Sequence, residues 1–170
     1  ELPGFRRWAE MSVFATVGTT RFDALVEALA TTEVQQALLD LGFSRLLVQR
    51  GHSGTVPKSA APGLTVEVYD FKPSLAEDVA QASLVVSHAG AGSIMEALRS
   101  GKPLVVVANE SLMDNHQVEL AEAMHLAGHT AVATPASLAA VLKRGDHRRL
   151  TPLPKLNLAP FRAAISDVMR

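Results

Sequence analysis

The chain has 170 residues, 48% hydrophobic and 19% charged, with net charge −1, which fits one globular domain with a full core and excludes disorder as its overall state. A pI near 6.7 lacks the basic footprint of nucleic-acid binding, no apolar run reaches the ~20 residues of a membrane span, and residues 1–10 hold no signal-peptide stretch; a soluble, cytosolic chain without a nucleic-acid partner is expected. Zero Cys excludes disulfides, thiolate metal sites and a Cys nucleophile.

Residues 12–17 (SVFATV) are a β-branched apolar run that stops at Gly18 and reads as a buried strand. Phe22, Leu25, Val26 and Leu29 then fall at helical spacing, and Val34, Leu38 and Leu41 extend this single stripe up to Gly42. Residues 45–49 and 64–69 read as strands, joined by a Gly/Ser/Pro-rich loop over 50–63. Ser74 and Glu77 form the capping-box pattern of a short helix, with Leu75 and Val79 facing inward. Residues 84–87 are a short strand, 93–100 a helix closed by Gly101, and 104–108 (LVVVA) the most strand-like run of all. A helix over 114–127 ends at Gly128, 129–133 is a weaker strand, and 135–143 a further helix.

Apolar strands alternating with helices argue for a doubly wound, Rossmann-like α/β domain over residues 11–145, its parallel sheet covered on both faces. Residues 146–170 differ: basic side chains and Pro152, Pro154 and Pro160 mark a connector to a terminal helix over 160–169, with Phe161, Ile165, Val168 and Met169 on one face. Residues 1–10 read as an N-terminal extension.

In such sheets ligands bind beyond the carboxyl ends of the strands, where helix N-termini favour anions. Glycine and polar residues collect there: Gly18, Thr19 and Thr20 after the first strand, Asp70, Phe71 and Lys72 after the third, His88 to Ser93 after the fourth, and Asn109 to Gln117 after the fifth. The dinucleotide pattern G-x-G-x-x-G is absent from the first turn, and Gly90-Ala91-Gly92 has Met95 where its third glycine belongs. Gly101-Lys102 has Glu96 in place of the Walker glycine and precedes a strand. His125 and His129 have metal-ligand spacing, but Gly128 ends the helix between them, and there is no D-x-D pair. Neither a metal nor a cofactor is expected.

Four segments spread over residues 11–141 carry a resemblance: Thr16-Val17-Gly18-Thr19-Thr20-Arg21-Phe22, Ser87-His88-Ala89-Gly90-Ala91-Gly92-Ser93-Ile94-Met95-Glu96, Gly101-Lys102-Pro103-Leu104-Val105-Val106-Val107, and Asn115-His116-Gln117 with Glu119-Leu120-Ala121. The chain resembles the small catalytic subunits of the N-acetylglucosaminyltransferases that add the second GlcNAc to dolichol diphosphate-GlcNAc, of the glycosyltransferase family 28 C-terminal-domain type. More distantly it is similar to the C-terminal half of the bacterial GT-B transferases that make peptidoglycan precursor. The resemblance implies one half of a GT-B fold, a UDP-GlcNAc donor, and a dolichol-diphosphate-GlcNAc acceptor at the cytosolic face of the endoplasmic reticulum. It also implies metal-independent inverting transfer and a membrane-anchored partner subunit that supplies the other half and the general base, so no catalytic residue is assigned in this chain.

The resemblance implies residue roles as well, and a simpler reading stands beside each. Gly18, Thr19 and Thr20 cradle the diphosphate, or form a plain turn with a Thr cap; Gly90, Ala91, Gly92 and Ser93 repeat the cradle at the next helix. Glu96 takes the ribose hydroxyls, or closes a capping box with Ser93. Phe71 lies by the uracil while the Lys72 backbone reads the base edge, or Phe71 is core. Asn115, His116 and Gln117 meet the GlcNAc hydroxyls, with His116 departing from the amide of the bacterial relatives, or they are a polar first turn capped by Asp114. His88 lies near the phosphates, or is a core or capping histidine. The terminal helix is expected to clamp the partner. Two other classes stay open: a self-sufficient UDP-sugar transferase with a soluble acceptor, and a nonenzymatic UDP-sugar-binding module.

Overall fold

The computed structural model describes residues 11–109 and 115–154, with the backbone alone for 115–118. Strands β1 (Ser12–Thr16), β2 (Arg45–Gln49), β3 (Thr65–Tyr69), β4 (Leu84–His88), β5 (Leu104–Val107) and β6 (Ala131–Ala133) form one sheet in the order β3-β2-β1-β4-β5-β6. Every pairing is parallel; β1 sits centrally, with Ser12 opposite Arg45 of β2 and Val13 opposite Leu84 of β4. Successive strand side chains point to opposite faces, and here both faces are apolar. Val13, Ala15, Val48, Val86 and Val105 enter one core with helices α1 (Asp23–Leu29), α2 (Thr32–Asp40) and α6 (Leu138–Arg144). Phe14, Val85, Leu104 and Val106 enter the other with α3 (Ala76–Gln81), α4 (Ala91–Arg99) and α5 (Asn115–Leu126). This is the Rossmann-like architecture expected.

The stripe from Phe22 to Leu41 is two helices. Thr31 has extended backbone (ψ 146°), and its hydroxyl accepts from the Val34 N–H at 3.3 Å as the N-cap of α2. Helix α4 starts at Ala91, with Gly90 as its N-cap residue, so Ser93 lies inside the first turn and forms no capping box with Glu96. Ser74 accepts from the Ala76 N–H (3.2 Å) at the start of α3, but Glu77 accepts from Gln81 (3.1 Å) and closes no box.

Packing continues past residue 145. A 3-10 turn, Asp146–Arg149, buries His147 near Phe43. Thr151 then donates its N–H to the Gly128 carbonyl (2.9 Å), and Leu153 packs on the second core. The terminal helix expected over 160–169 and the extension over 1–10 lie outside the described residues. No helix among the described residues is long and apolar enough to cross a membrane.

Candidate functional site

The chain leaves β1 toward β2 and leaves β4 toward β5, in opposite directions across the sheet. A crevice opens at that reversal, beyond the carboxyl ends of the two strands. The structure has a cleft of ≈ 540 Å³ there, within the range of small-molecule sites. Gly18 and Thr19 line it from the β1 loop, Phe71, Lys72 and Leu75 from the β3–α3 segment, and His88, Gly90, Gly92, Ser93 and Glu96 from the β4–α4 segment.

His88 organises the α4 wall. A Cβ at Gly18 would lie 2.6 Å from His88 Cε1, and one at Gly90 would overlap Nε2. The left-handed backbone of Gly18 (φ +64°) is a second reason for glycine there. Both glycines are thus required by the imidazole itself, before any ligand; at Gly92 the space is open. Burial pushes the His88 pKa below the ordinary imidazole range, and the Thr16 backbone opposes this more weakly without meeting hydrogen-bond geometry at the buried Nδ1. The ring is therefore neutral at pH 7. Next to it α4 begins with no side chain capping Gly90 and no acidic residue in its first turn. Its first N–H groups have no helical acceptor, and the positive end of the helix dipole opens on the cleft. Glu96 stands one turn further, on the same face as Gly92 and Ser93.

The facing wall is built otherwise. Phe71 is 48% exposed, so it is not a core residue; its ring meets His52 at a centroid distance of 4.8 Å and 60°. The Lys72 ammonium is turned to Asp78, 2.8 and 2.9 Å from the two carboxylate oxygens, and lies 4.3 Å from the centre of the Tyr69 ring. The Tyr69 hydroxyl donates to the same carboxylate at 2.5 Å. Burial, then Asp78, pushes the Tyr69 pKa upward, so it stays protonated.

From sequence Gln49 is only the end of a strand. Its side chain is buried: Oε1 accepts from the Thr16 hydroxyl (2.5 Å), and Nε2 donates to the carbonyls of Gly18 and Asp70, both at 2.7 Å. One amide ties the loop after β1 to the loop after β3. A polar residue closing an apolar strand was the available signal. Arg50 adds an ion pair to Asp70 at 2.6 Å.

Nine of the residues singled out by sequence thus meet around one cleft: Gly18, Thr19, Phe71, Lys72, His88, Gly90, Gly92, Ser93 and Glu96. Thr20 donates to the Val17 carbonyl (2.8 Å) and caps no helix, since α1 has Phe22 as its N-cap residue. Ala91 lines an adjoining groove with Gly92 and Glu96. Asn115, His116 and Gln117 open α5, but their side chains, like Asp114, lie outside the described residues. His125 Nδ1 meets the Thr130 carbonyl (2.8 Å) and His129 Nδ1 the Thr151 carbonyl (2.7 Å). Among the described residues no three His, Asp or Glu side chains group as a metal site. Free helical N–H groups on one wall, an exposed aromatic on the other and a carboxylate on α4 suit a ligand with an anionic group, a planar ring and hydroxyls.

The family model described as the glycosyltransferase family 28 C-terminal domain matches residues 12–168. The mouse protein named UDP-N-acetylglucosamine transferase subunit ALG13 is 46% identical over 157 residues, which is 87% of this chain but 13% of that protein. The chain thus spans about an eighth of this relative. Among solved structures, the solution structure of ALG13 superposes with TM-score 0.67 at 29% identity, covering 91% of this chain and 94% of that one. The crystal structure of Acinetobacter baumannii MurG superposes with TM-score 0.64 at 23% identity, covering 82% of this chain and 42% of that larger one, a likeness of fold. With the match running from the first strand through the sheet and both helical layers, the chain belongs to the glycosyltransferase family 28 C-terminal domain family.

Proposed function

We propose that the chain is the donor-binding, catalytic subunit of a heteromeric N-acetylglucosaminyltransferase. It moves GlcNAc from UDP-GlcNAc to dolichol-diphosphate-GlcNAc, the second step of lipid-linked oligosaccharide assembly. The relatives' name supports both the donor and the need for a further subunit. The observation that carries the reading is a cleft along the carboxyl edge of a single sheet, with an uncapped α4 N-terminus on one side and exposed Phe71 on the other.

In this reading the diphosphate lies at the first turn of α4, the uracil against Phe71 and the Lys72 backbone, and the ribose hydroxyls donate to Glu96. Asn115, His116 and Gln117 serve the sugar. An acceptor hydroxyl attacks the anomeric carbon of GlcNAc as its bond to UDP breaks, inverting that centre, and the hydroxyl proton passes to a base on the partner subunit. Charge gained by the departing UDP falls on the α4 N–H groups, so no metal is needed. The partner is membrane-anchored, contributes the opposite wall, and holds the chain at the cytosolic face of the endoplasmic reticulum. The chain beyond Pro154 clamps it.

The test is to incubate the chain with UDP-GlcNAc and a short-lipid diphosphate-GlcNAc acceptor, with and without the membrane subunit and with and without EDTA. Product is expected only with both subunits, undiminished by the chelator. A chain cut after Pro154 is expected to bind UDP-GlcNAc and lose the partner. Transfer by the chain alone would overturn the split-site reading, and absence of UDP-GlcNAc binding would overturn the donor assignment.

A further inference from the structure

Asp78 is the one acidic side chain buried among the described residues, 8% exposed in its side chain. A buried carboxylate is costly unless paired and hydrogen-bonded, and both conditions hold here. Its partners come from different elements: Tyr69 ends β3, Lys72 lies in the following loop, and Asp78 is in the first turn of α3. Between Tyr69 and Lys72 stand only Asp70 and Phe71. The Asp70 carbonyl is held by Gln49 and by the Gly51 N–H. Phe71 is thus presented half-exposed between a backbone carbonyl held on one side and a side chain anchored at its tip on the other.

The same carboxylate has a second effect. Lys72 lines the cleft, and a lysine is a mobile point charge that any phosphate attracts. Asp78 holds this ammonium over the Tyr69 ring, away from that use. We infer that Asp78 is a positioning and selectivity residue for the base-binding wall: it fixes the loop that presents Phe71 and withholds the Lys72 cation, so that this wall selects a planar uncharged ring over a bare phosphate. The inference rests on the proposed reading of the cleft as a UDP site.

The test uses the full chain, titrated calorimetrically with UDP and, in competition, with inorganic pyrophosphate, beside a thermal midpoint for each variant. Asp78→Asn keeps the size and an acceptor for Tyr69 but removes the charge. It is expected to weaken UDP about tenfold, the scale of one well-placed hydrogen bond, while pyrophosphate is held equally or more tightly. Tyr69→Phe leaves the Lys72–Asp78 pair and is expected to shift the same ratio less, in the same direction. A residue that only supports the fold would weaken both ligands alike, in step with the thermal midpoint; that outcome, or a wild-type ratio in both variants, overturns the inference. Should Asp78→Asn not fold, the Tyr69→Phe ratio decides. If the wild-type chain binds no UDP, the reading of the cleft fails and this inference with it; if it binds UDP and the ratio stays fixed, the inference alone fails.

Discussion

On the α4 wall of the cleft, position is set by volume: a neutral ring fills the space that Gly18 and Gly90 leave open, and its buried Nδ1 has no partner. On the β3–α3 wall, position is set by charge and hydrogen bonds, with Asp78, Lys72 and Tyr69 interlocked and the Gln49 amide joining Asp70 to Gly18. The first arrangement has no room for an added atom at Gly18 or Gly90 and does not depend on paired charges. The second tolerates some change of shape but not the loss of a partner. A ligand lying across both walls is gripped by backbone geometry at one end and by a side-chain network at the other, so the two ends respond to different perturbations.

The largest effect is expected from Gly90→Ala. The methyl group would overlap His88 Nε2, so the ring and the α4 N-terminus must move apart. We expect UDP binding to fall by more than ~100-fold, the scale of a misplaced binding group, with stability lowered by about 1–3 kcal/mol from overpacking. Urea midpoints and a UDP titration read the two effects, and adding His88→Ala should recover much of the stability. A Gly90→Ala chain indistinguishable from wild type would show that volume does not set this wall.

Glu96→Gln is expected to weaken UDP-GlcNAc by roughly 10–100-fold, since hydrogen bonds to a charged group are worth ~1.5–3 kcal/mol. Because Glu96 lies beyond the first turn of α4, the unfolding midpoint should not change. Calorimetry beside a denaturation curve separates the two, and equal donor affinity in the variant would remove Glu96 from the site.

The smallest effect is on stability against pH. Burial holds the pKa values of His88 and His147 below the ordinary 6.5. Below pH 6.5 the unfolded chain takes up protons that the folded chain still refuses. Stability is therefore fully present above that value and falls as pH drops through it toward the folded pKa values. The loss is bounded by about 1.4 kcal/mol per pH unit for each histidine and is read as a falling thermal midpoint between pH 7 and 5.5. His88→Asn should flatten the slope; an unchanged slope would mean that the imidazole is not held neutral. Tyr69, pushed upward, adds nothing in this range.

Strands were legible because short β-branched apolar runs such as 104–107 stand behind glycine and proline breaks, and each observed strand lies within two residues of the expected one. Residues 90–93 were legible as a helix entry, but not its first residue, because a glycine N-cap leaves no side-chain mark and Ser93 imitates one. Thr31 is the sequence mark of the break between α1 and α2: a cap residue inside an otherwise unbroken apolar stripe. Gln49 leaves only the mark of a polar residue closing an apolar strand, because its partners Thr16 and Gly18 stand more than thirty residues away, and Asp78 has the local sequence of any acidic residue in a helix's first turn. The exposure of Phe71 was equally hidden, since an aromatic after a strand has the same local sequence whether it faces the core or the cleft. The glycines at 18 and 90 were legible as necessary, but the reason is the ring of His88.

The pairing of β1 with β4 joins Val13 to Leu84 and Thr16 to Ser87, about 70 residues apart along the chain, a separation whose closure comes late and slowly compared with local contacts. Each half of the sheet, β1 to β3 and β4 to β6, is a run of strands adjacent in the chain, and the pairing of β1 with β4 is the seam between them. Gly18 belongs to the first half and His88 to the second, so their fit exists only after the seam has closed. The cleft thus gains its α4 wall only when the fourth strand docks, although Gly18, Gln49, Phe71 and Lys72 all precede that strand in the chain. Any ligand that touches both walls spans that late-formed junction, favours the closed over the open state by mass action, and ties the stability of the folded chain to occupancy of the cleft.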